Sequence, residues 1–183
     1  IMKRKRMLSP QSMQQKYKNG ANKKTLKRPM KITDILGKEC VVLHSKALTK
    51  ESILQELLDT LAHSKIVLNK EDVKKAVLER EHIMSTGIGN EFALPHGKTN
   101  AVTDTIGALA TLDNPIDFHS LDNRPVNVVF MLIGRENAVG VHLRLLSRIS
   151  RMMNDDSFRK KILDAGSPSE VLLLFDHQEN ELG

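Results

Sequence analysis

Cysteine, tryptophan and long apolar runs are scarce or missing in this chain of 183 residues. Its single cysteine, Cys40, excludes an internal disulfide and the paired thiolates of a structural zinc site. No segment approaches the roughly 20 consecutive apolar residues of a membrane-spanning helix, and the basic N-terminal residues are not followed by the apolar stretch of a secretory signal. We therefore expect a cytoplasmic protein without membrane insertion.

Acidic residues are missing from the first 33 positions, which hold eleven Lys or Arg residues. Residues 34–183 hold 17 basic and 22 acidic residues, so a tail of charge +11 precedes a body of charge −5. The tail combines two prolines, one aromatic residue, Tyr17, and many polar side chains, a composition typical of disorder. We predict a basic, disordered tail over residues 1–33 and a folded domain over residues 34–183.

Two interpretations of this tail are open. Its cations fit an arm that binds nucleic-acid phosphates through counterion release. A solvated leader would have the same composition. Because Tyr17 alone offers no platform on which successive bases could stack, nucleic acid is the less favoured partner of residues 1–33.

The apolar residues alternate between helical and strand-like spacing from Ile32 onward. Thr49 and Asn69 are N-cap residue types, and each immediately precedes an amphipathic segment. We predict helices over 50–63, 70–82, 141–153, 157–165 and 169–175, and strands around 41–43, 92–94, 106–112 and 126–133. Interleaved helices and strands indicate an α/β fold, a single domain with a mixed β-sheet covered by helices.

Several common chemistries lack their sequence patterns here. The seven histidines show no HxxxH, HExxH or cysteine-paired spacing, which disfavours zinc. The chain has no GxSxG nucleophile turn, and the glycine pair Gly87 and Gly89 lacks the third glycine of a dinucleotide fingerprint. We expect neither a metal nor a cofactor.

His96 differs from the other histidines in its local context, between Pro95 and Gly97 after a glycine-rich loop and a short strand. Proline fixes φ before the histidine, and glycine can take backbone angles forbidden to other residues. The imidazole is therefore a candidate nucleophile, presented rigidly at the edge of the sheet. The alternative is an ordinary surface histidine, which is the commoner role of a lone histidine.

At these positions the chain resembles the type 2 enzyme IIA domains of the bacterial phosphoenolpyruvate-dependent phosphotransferase system (PTS), the fructose/mannitol class. The resemblance covers about residues 34–176, and it is closest to the nitrogen-regulatory branch of that family. Several separated motifs in the same order carry it: Arg80-Glu81, Ser85-Thr86-Gly87-Ile88-Gly89, Ala93-Leu94-Pro95-His96-Gly97, Pro115-Ile116-Asp117-Phe118, Leu121-Asp122, Pro125-Val126 and His142-Leu143.

The resemblance implies that His96 accepts a phosphoryl group from the phosphohistidine of a small carrier, HPr or its nitrogen-branch relative. It also implies that Arg80 holds phosphate oxygens and that His142 is a second active-site histidine. Guanidinium binds two oxygens of a phosphate at once, and the N-terminus of a helix attracts anions. Without the resemblance, Arg80 would be a solvated arginine at a helix end and His142 a polar residue at a helix start.

Four residues of the glycine-rich loop, Ser85, Thr86, Gly87 and Gly89, are further candidates for phosphate contact. Turn formation alone would also explain them. Glu91 departs from the family, whose members commonly carry glycine there. If its carboxylate faced His96, it would repel phosphate and raise the pKa of the imidazole.

We interpret the chain as a histidine phosphocarrier, a transferase within a relay, that acts in regulation. Its partners would be an HPr-like donor and a regulatory target. One alternative is a sugar-specific IIA protein that passes phosphate to a cysteine of a IIB protein in sugar transport. The other is a non-catalytic binding module whose tail binds nucleic acid.

Overall fold

The computed structural model describes residues 29–182, which form one mixed sheet with helices packed on it. The elements are a 3₁₀ helix Ile32–Asp34, β1 Leu36–Ser45, α1 Lys50–Ala62, α2 Lys70–Ile83, β2 Gly87–Gly89, β3 Phe92–Ala93, β4 His96–Lys98, β5 Ile106–Ile116, β6 Val126–Gly134, α3 Val139–Met153, α4 Asp156–Asp164 and α5 Pro168–Leu182. The predicted α/β class with a mixed sheet is confirmed.

The sheet has the strand order β1-β5-β6-β3-β2, and β4 also pairs with β6. Strand β6 is antiparallel to β5 and parallel to β3 and β4. Strands β3 and β4 follow one another along the same edge of β6, with Phe92 opposite Val128 and His96 opposite Leu132. Pro95 lies between them and has no N–H to donate, but its carbonyl accepts the Leu132 N–H at 2.9 Å.

The N-terminal ends of the first two helices are fixed by side-chain caps, as the sequence predicts. Thr49 accepts the Ser52 N–H at the start of α1, and Asn69 accepts the Glu71 and Asp72 N–H groups at the start of α2. Each cap satisfies backbone donors that have no partner within the helix. The apolar stripe of α1 is buried, as amphipathic spacing requires: Ile53, Leu54, Leu57, Leu58 and Leu61.

The last helix is longer than the predicted segment 169–175, because its buried stripe continues with a charged residue. Val171 and Phe175 are buried, and Glu179 follows them four residues later with 8% exposure. Its carboxylate accepts the Ile32 N–H and an Arg148 N–H, each at 3.0 Å. A glutamate in an apolar stripe conceals the continuation of the helix from any pattern of hydrophobicity.

The residues just before position 34 also pack against the body of the domain. Ile32 is fully buried, and the Lys31 ammonium donates to Asp176 at 2.7 Å and to Asn180 at 3.0 Å. Residues just before position 34 therefore pack against α5. Positions 1–28 of the predicted tail lie outside the described residues. Within residues 29–182 no helix is long and apolar enough to cross a membrane.

Candidate active site

His96 is the first residue of β4, and its ring is half-buried with both nitrogens in contact with the protein. Nδ1 lies 2.8 Å from the Leu94 carbonyl oxygen, and Nε2 lies 3.2 Å from Arg80 Nε. Because a carbonyl only accepts and a guanidinium only donates, Nδ1 carries the hydrogen and the Nε2 lone pair accepts the Arg80 N–H. Burial and the Arg80 charge lower the pKa of His96, although the Leu94 carbonyl acts in the opposite direction. The imidazole is therefore neutral and nucleophilic near pH 7.

Gly97 brings helix α2 close to this histidine. A Cβ at this position would lie 3.1 Å from backbone atoms of Ala76 and Val77, so α2 and β4 approach more closely than most Cβ contacts allow. Gly97 does not use the positive φ that glycine can adopt, since among the described glycines only Gly89 has one. Close packing is the reason for glycine here.

Arg80 lies one turn after Ala76, on the same side of α2, and its side chain reaches the histidine. Its Nη1 donates to the Met84 carbonyl at 3.0 Å, and its Nε donates to His96 at 3.2 Å. Guanidinium has five N–H donors, so further donors remain for an incoming anion. The clamp role of Arg80 stays a prediction.

His142 lies in the first turn of α3 beside His96, with the two ring centroids 5.8 Å apart. Gly134 at the end of β6 makes room for it, because a Cβ there would lie 2.5 Å from His142 Nδ1. The residue is 3% exposed, and neither ring nitrogen has a hydrogen-bond partner among the described residues. Burial, His96 and Lys98 lower the pKa of His142 to about 4, so it is neutral at pH 7. Buried polar rings normally have a hydrogen-bond partner, so His142 is a candidate to bind a polar group that enters the site.

The backbone of His142 offers no free donor to an anion, contrary to the expectation for a helix start. Its own N–H donates to the Ala138 carbonyl at 3.0 Å within α3. Any direct contact of His142 with an anion therefore comes from its side chain.

Comparison with known proteins identifies the family of this chain. Residues 34–178 match the family described as "Phosphoenolpyruvate-dependent sugar phosphotransferase system, EIIA 2". The chain belongs to this family. The resemblance found in the sequence is thus confirmed, and the chain is a IIA-type phosphocarrier of the PTS.

The relatives of this IIA protein include regulatory and sugar-specific proteins. It is 38% identical over 133 residues to a nitrogen regulatory protein of Bradyrhizobium diazoefficiens, an alignment that covers 73% of this chain and 86% of the relative. It is 33% identical over 150 residues to the fructose-specific EIIABC component of Bacillus subtilis, covering 82% of this chain but only 24% of that protein. The crystal structure of nitrogen regulatory protein IIA-Ntr from Neisseria meningitidis superposes with a TM-score of 0.74 at 30% identity, covering 79% of this chain and 98% of that one.

Lys98 is a residue of the IIA site that sequence reasoning missed. It lies two residues after His96 on β4, so both side chains project from the same face of the strand. Its side chain is exposed to solvent, and its charge helps to lower the pKa of both His96 and His142. The signal was available in the sequence, because a cation two positions from a histidine on a strand shares its face.

The glycine-rich loop is held by contacts within the fold of the IIA domain. Thr86 donates its N–H and its hydroxyl to the Glu81 carboxylate, and Ser85 donates its hydroxyl to the Phe118 carbonyl. The Gly87 N–H donates to Ser85 Oγ at 3.2 Å. Gly89 lies against the Asp122 carboxylate. The structure brings Arg80, His96, His142 and Lys98 together but gives the donors of Ser85, Thr86 and Gly87 other partners, and their phosphate contact stays a prediction.

Glu91 faces away from the IIA active site. Its carboxylate pairs with Arg124 and accepts the Asn127 side-chain N–H at 2.8 Å. Asn127 lies five residues before Leu132, the strand partner of His96, which is about 16 Å along β6. The rise in the pKa of His96 that a facing Glu91 would cause does not occur, since that pKa is lowered. Its φ of +62° also explains why glycine suits this position.

We expect Glu91→Gly to leave phosphoryl acceptance within about twofold of wild type and to change the free energy of unfolding by less than about 1 kcal/mol, because relief of the left-handed backbone offsets the lost contacts. Glu91→Ala is the matched variant, since it loses the same contacts but keeps a Cβ. Glu91→Ala should be less stable than wild type by about 1–2 kcal/mol. Urea unfolding and a transfer assay measure both. A large loss of transfer in Glu91→Gly would show that Glu91 acts at the site.

The lowered pKa of His142 predicts a pH dependence of stability. Between its ordinary value of 6.5 and its folded value of about 4, the unfolded chain binds more protons, so the free energy of unfolding falls as the pH falls through this window. The shift corresponds to about 3 kcal/mol. His142→Met should flatten the curve by this order of magnitude, and His96 contributes in the same direction.

Urea unfolding at pH 7, 6, 5 and 4.5 tests this prediction. Four aspartates with lowered pKa values lose their stabilising effect only below the ordinary value of 3.8, so they leave this window clear: Asp59, Asp113, Asp122 and Asp176. The exposed His177, replaced by Gln, is the control and should not change the curve. An equal slope in wild type and His142→Met would contradict the burial of a neutral imidazole.

Proposed function

We propose that the chain accepts a phosphoryl group on Nε2 of His96 from the phosphohistidine of an HPr-like carrier. The observation that carries this proposal is the pair of contacts to the ring, since Leu94 holds the hydrogen on Nδ1 and leaves the Nε2 lone pair facing Arg80. A neutral imidazole with a fixed tautomer needs no separate base to attack phosphorus.

The transfer balances without a further reactant. The Nε2 lone pair forms the new N–P bond while the N–P bond of the donor breaks and its electron pair returns to the donor ring. The donor ring, protonated on its other nitrogen, leaves as a neutral imidazole, and the His96 ring, which keeps its Nδ1–H, takes up the positive charge. Arg80 must move aside from Nε2, and its free donors then hold the phosphoryl oxygens. His142 donates its single ring N–H to a further oxygen of the phosphoryl group, and the Lys98 ammonium adds positive charge. Positioning and charge stabilisation supply most of the catalysis in phosphoryl transfer.

Apolar surface beside the site supports a protein donor. Ile83 and Met84 follow Arg80 and are 79% and 60% exposed, and Leu143 follows His142 and is 59% exposed. Exposed apolar side chains around a charged centre are typical of protein interfaces. The HPr-like donor would cover them during transfer. Since the carrier relay operates in the cytoplasm, the proposal also places this chain there.

The proposed output is regulation through partners that distinguish the phosphorylated from the unphosphorylated form. The nitrogen regulatory relative is 38% identical to this chain, whereas the fructose-specific relatives are 33% identical. The solved structure with a TM-score of 0.74 is also that of a nitrogen regulatory protein. Transfer to a IIB cysteine is the outcome that would redirect the proposal towards sugar transport.

The experiment is to mix the protein with phosphorylated HPr-like carriers and to measure its intact mass. We expect the gain of one phosphoryl group that acid removes, and the His177→Gln control should gain it equally. A second step adds IIB proteins that carry a reactive cysteine. No gain from any carrier would overturn the proposal, and complete onward transfer to a IIB cysteine would replace regulation with transport.

A further inference from the structure

A buried carboxylate lies directly behind the active site. Glu81 follows Arg80 in the chain but points to a different side of α2, as adjacent helical residues diverge by about 100°. It is 9% exposed. Its carboxylate accepts the Thr86 N–H at 3.0 Å, the Thr86 hydroxyl, and the Lys50 ammonium at 2.5 Å. A buried carboxylate with this many donors is held in one position.

The hydrogen bonds continue from Glu81 to the ring of His96. The Thr86 carbonyl accepts the Leu94 N–H at 2.9 Å, and the Leu94 carbonyl faces His96 Nδ1 at 2.8 Å. The backbone on both sides of Leu94 is therefore held, one side by Thr86 and the other by the imidazole. Since the Thr86 amide and hydroxyl both bind Glu81, the carboxylate fixes the residue that fixes Leu94.

Lys50 anchors the other end of this chain of contacts. Its side chain is 15% exposed, and its ammonium lies 3.3 Å from the Phe118 carbonyl, 3.4 Å from Ser85 Oγ and 4.7 Å from the centre of the Phe118 ring. Lys50 is the first residue of α1. The network thus ties α1, α2, the loop at Phe118 and the loop at Thr86 to the backbone that contacts His96.

We propose that Glu81 is a positioning residue for the phosphoryl transfer and that it acts through Thr86 and Leu94 to hold the Nδ1–H tautomer of His96. This inference rests on the proposed function. Arg80 and Glu81 then have different roles. The arginine faces the phosphoryl group, and the glutamate holds the backbone behind the nucleophile. Mutation of the side chains that orient metal-bound histidines typically lowers activity 10- to 100-fold, and we expect a loss in this range for Glu81.

The test is the tautomer of His96 in the unphosphorylated protein, measured from the ¹⁵N chemical shifts of the ring. Wild type should show mainly the Nδ1–H form. Glu81→Gln should show a mixture of both tautomers and accept phosphate roughly tenfold more slowly. Thr86→Val removes the hydroxyl donor with little change of volume, and it should change both properties in the same direction by a smaller amount. It provides the test if Glu81→Gln does not fold.

Glu179→Gln is the matched control. Glu179 lies on α5 rather than behind His96, and it is a similarly buried carboxylate that accepts the Ile32 N–H and an Arg148 N–H. This variant should lose stability and leave the His96 tautomer unchanged. The inference is overturned if Glu81→Gln and Thr86→Val keep the wild-type tautomer and rate, or if Glu179→Gln shifts the tautomer as much. The tautomer is measured without a phosphoryl donor. Failure of wild type to accept phosphate would therefore overturn the proposed function without deciding whether Glu81 holds the His96 tautomer.

Discussion

Replacing His96 by Gln should abolish phosphoryl acceptance. Removal of a covalent nucleophile lowers rates on the order of 10⁶-fold, because no other side chain can form the intermediate. His142 cannot substitute for it, since it is 3% exposed and lies beside His96 at a centroid distance of 5.8 Å. Single-turnover transfer from a phosphorylated HPr-like carrier, followed by intact mass, measures the effect.

The loss must be separated from unfolding. His96 is half-buried, and among residues 29–182 its ring nitrogens bond only to the Leu94 carbonyl and Arg80, so His96→Gln should keep the thermal stability of wild type within a few degrees. His177→Gln should transfer normally. Phosphorylation of a folded His96→Gln variant at an undiminished rate would place the nucleophile elsewhere.

Replacing Arg80 by Met should lower the transfer rate by roughly 10²–10³-fold, the range for loss of one preorganised charge donor at a transition state. Arg80→Lys keeps the charge but loses the planar fork, so it should recover only part of the rate. The stability of both variants should change little, because the guanidinium is only partly buried and contacts Met84 at the end of α2.

The pH profile separates a clamp from a simple contact. The Arg80 charge helps to lower the pKa of His96, so this pKa should rise in Arg80→Met and acceptance should begin at a higher pH than in wild type. Arg80→Lys should keep the wild-type onset. Equal rates in wild type and Arg80→Met at pH 8, where His96 is neutral in both, would contradict a role in holding the phosphoryl group.

Local rules predicted most of the fold. Thr49 and Asn69 fixed the starts of α1 and α2, and the apolar run of β6 marked the centre of the sheet. Strand β1 is much longer than its apolar run around Val41, because it also pairs with β5 at Leu36, beyond an irregular stretch that contains the polar residues Lys38 and Glu39. Pairing with a neighbour is a tertiary property, and apolar spacing does not report it.

The candidate site was predictable to the extent that motifs carried it. His96 stood out by its Pro-His-Gly context, whereas Arg80 and His142 came from the family resemblance, since they are 16 and 46 residues away in the chain. Their convergence depends on the tight approach of α2 at Gly97 and on the space beside Gly134. Lys98 was missed, and the network behind Leu94 depends on Glu81, a charged residue that continues the buried stripe of Val73 and Val77 and that hydrophobicity alone does not mark as buried.

The position of the phosphoryl group on the phosphorylated chain tests the central claim most directly. Heteronuclear NMR of the ¹⁵N-labelled protein, after reaction with a phosphorylated HPr-like carrier, distinguishes the two nitrogens of each imidazole. We predict one phosphoryl group, on Nε2 of His96, with Nδ1 still bonded to the Leu94 carbonyl. Phosphorylation on Nδ1 of His96, or on any other histidine, would contradict the account.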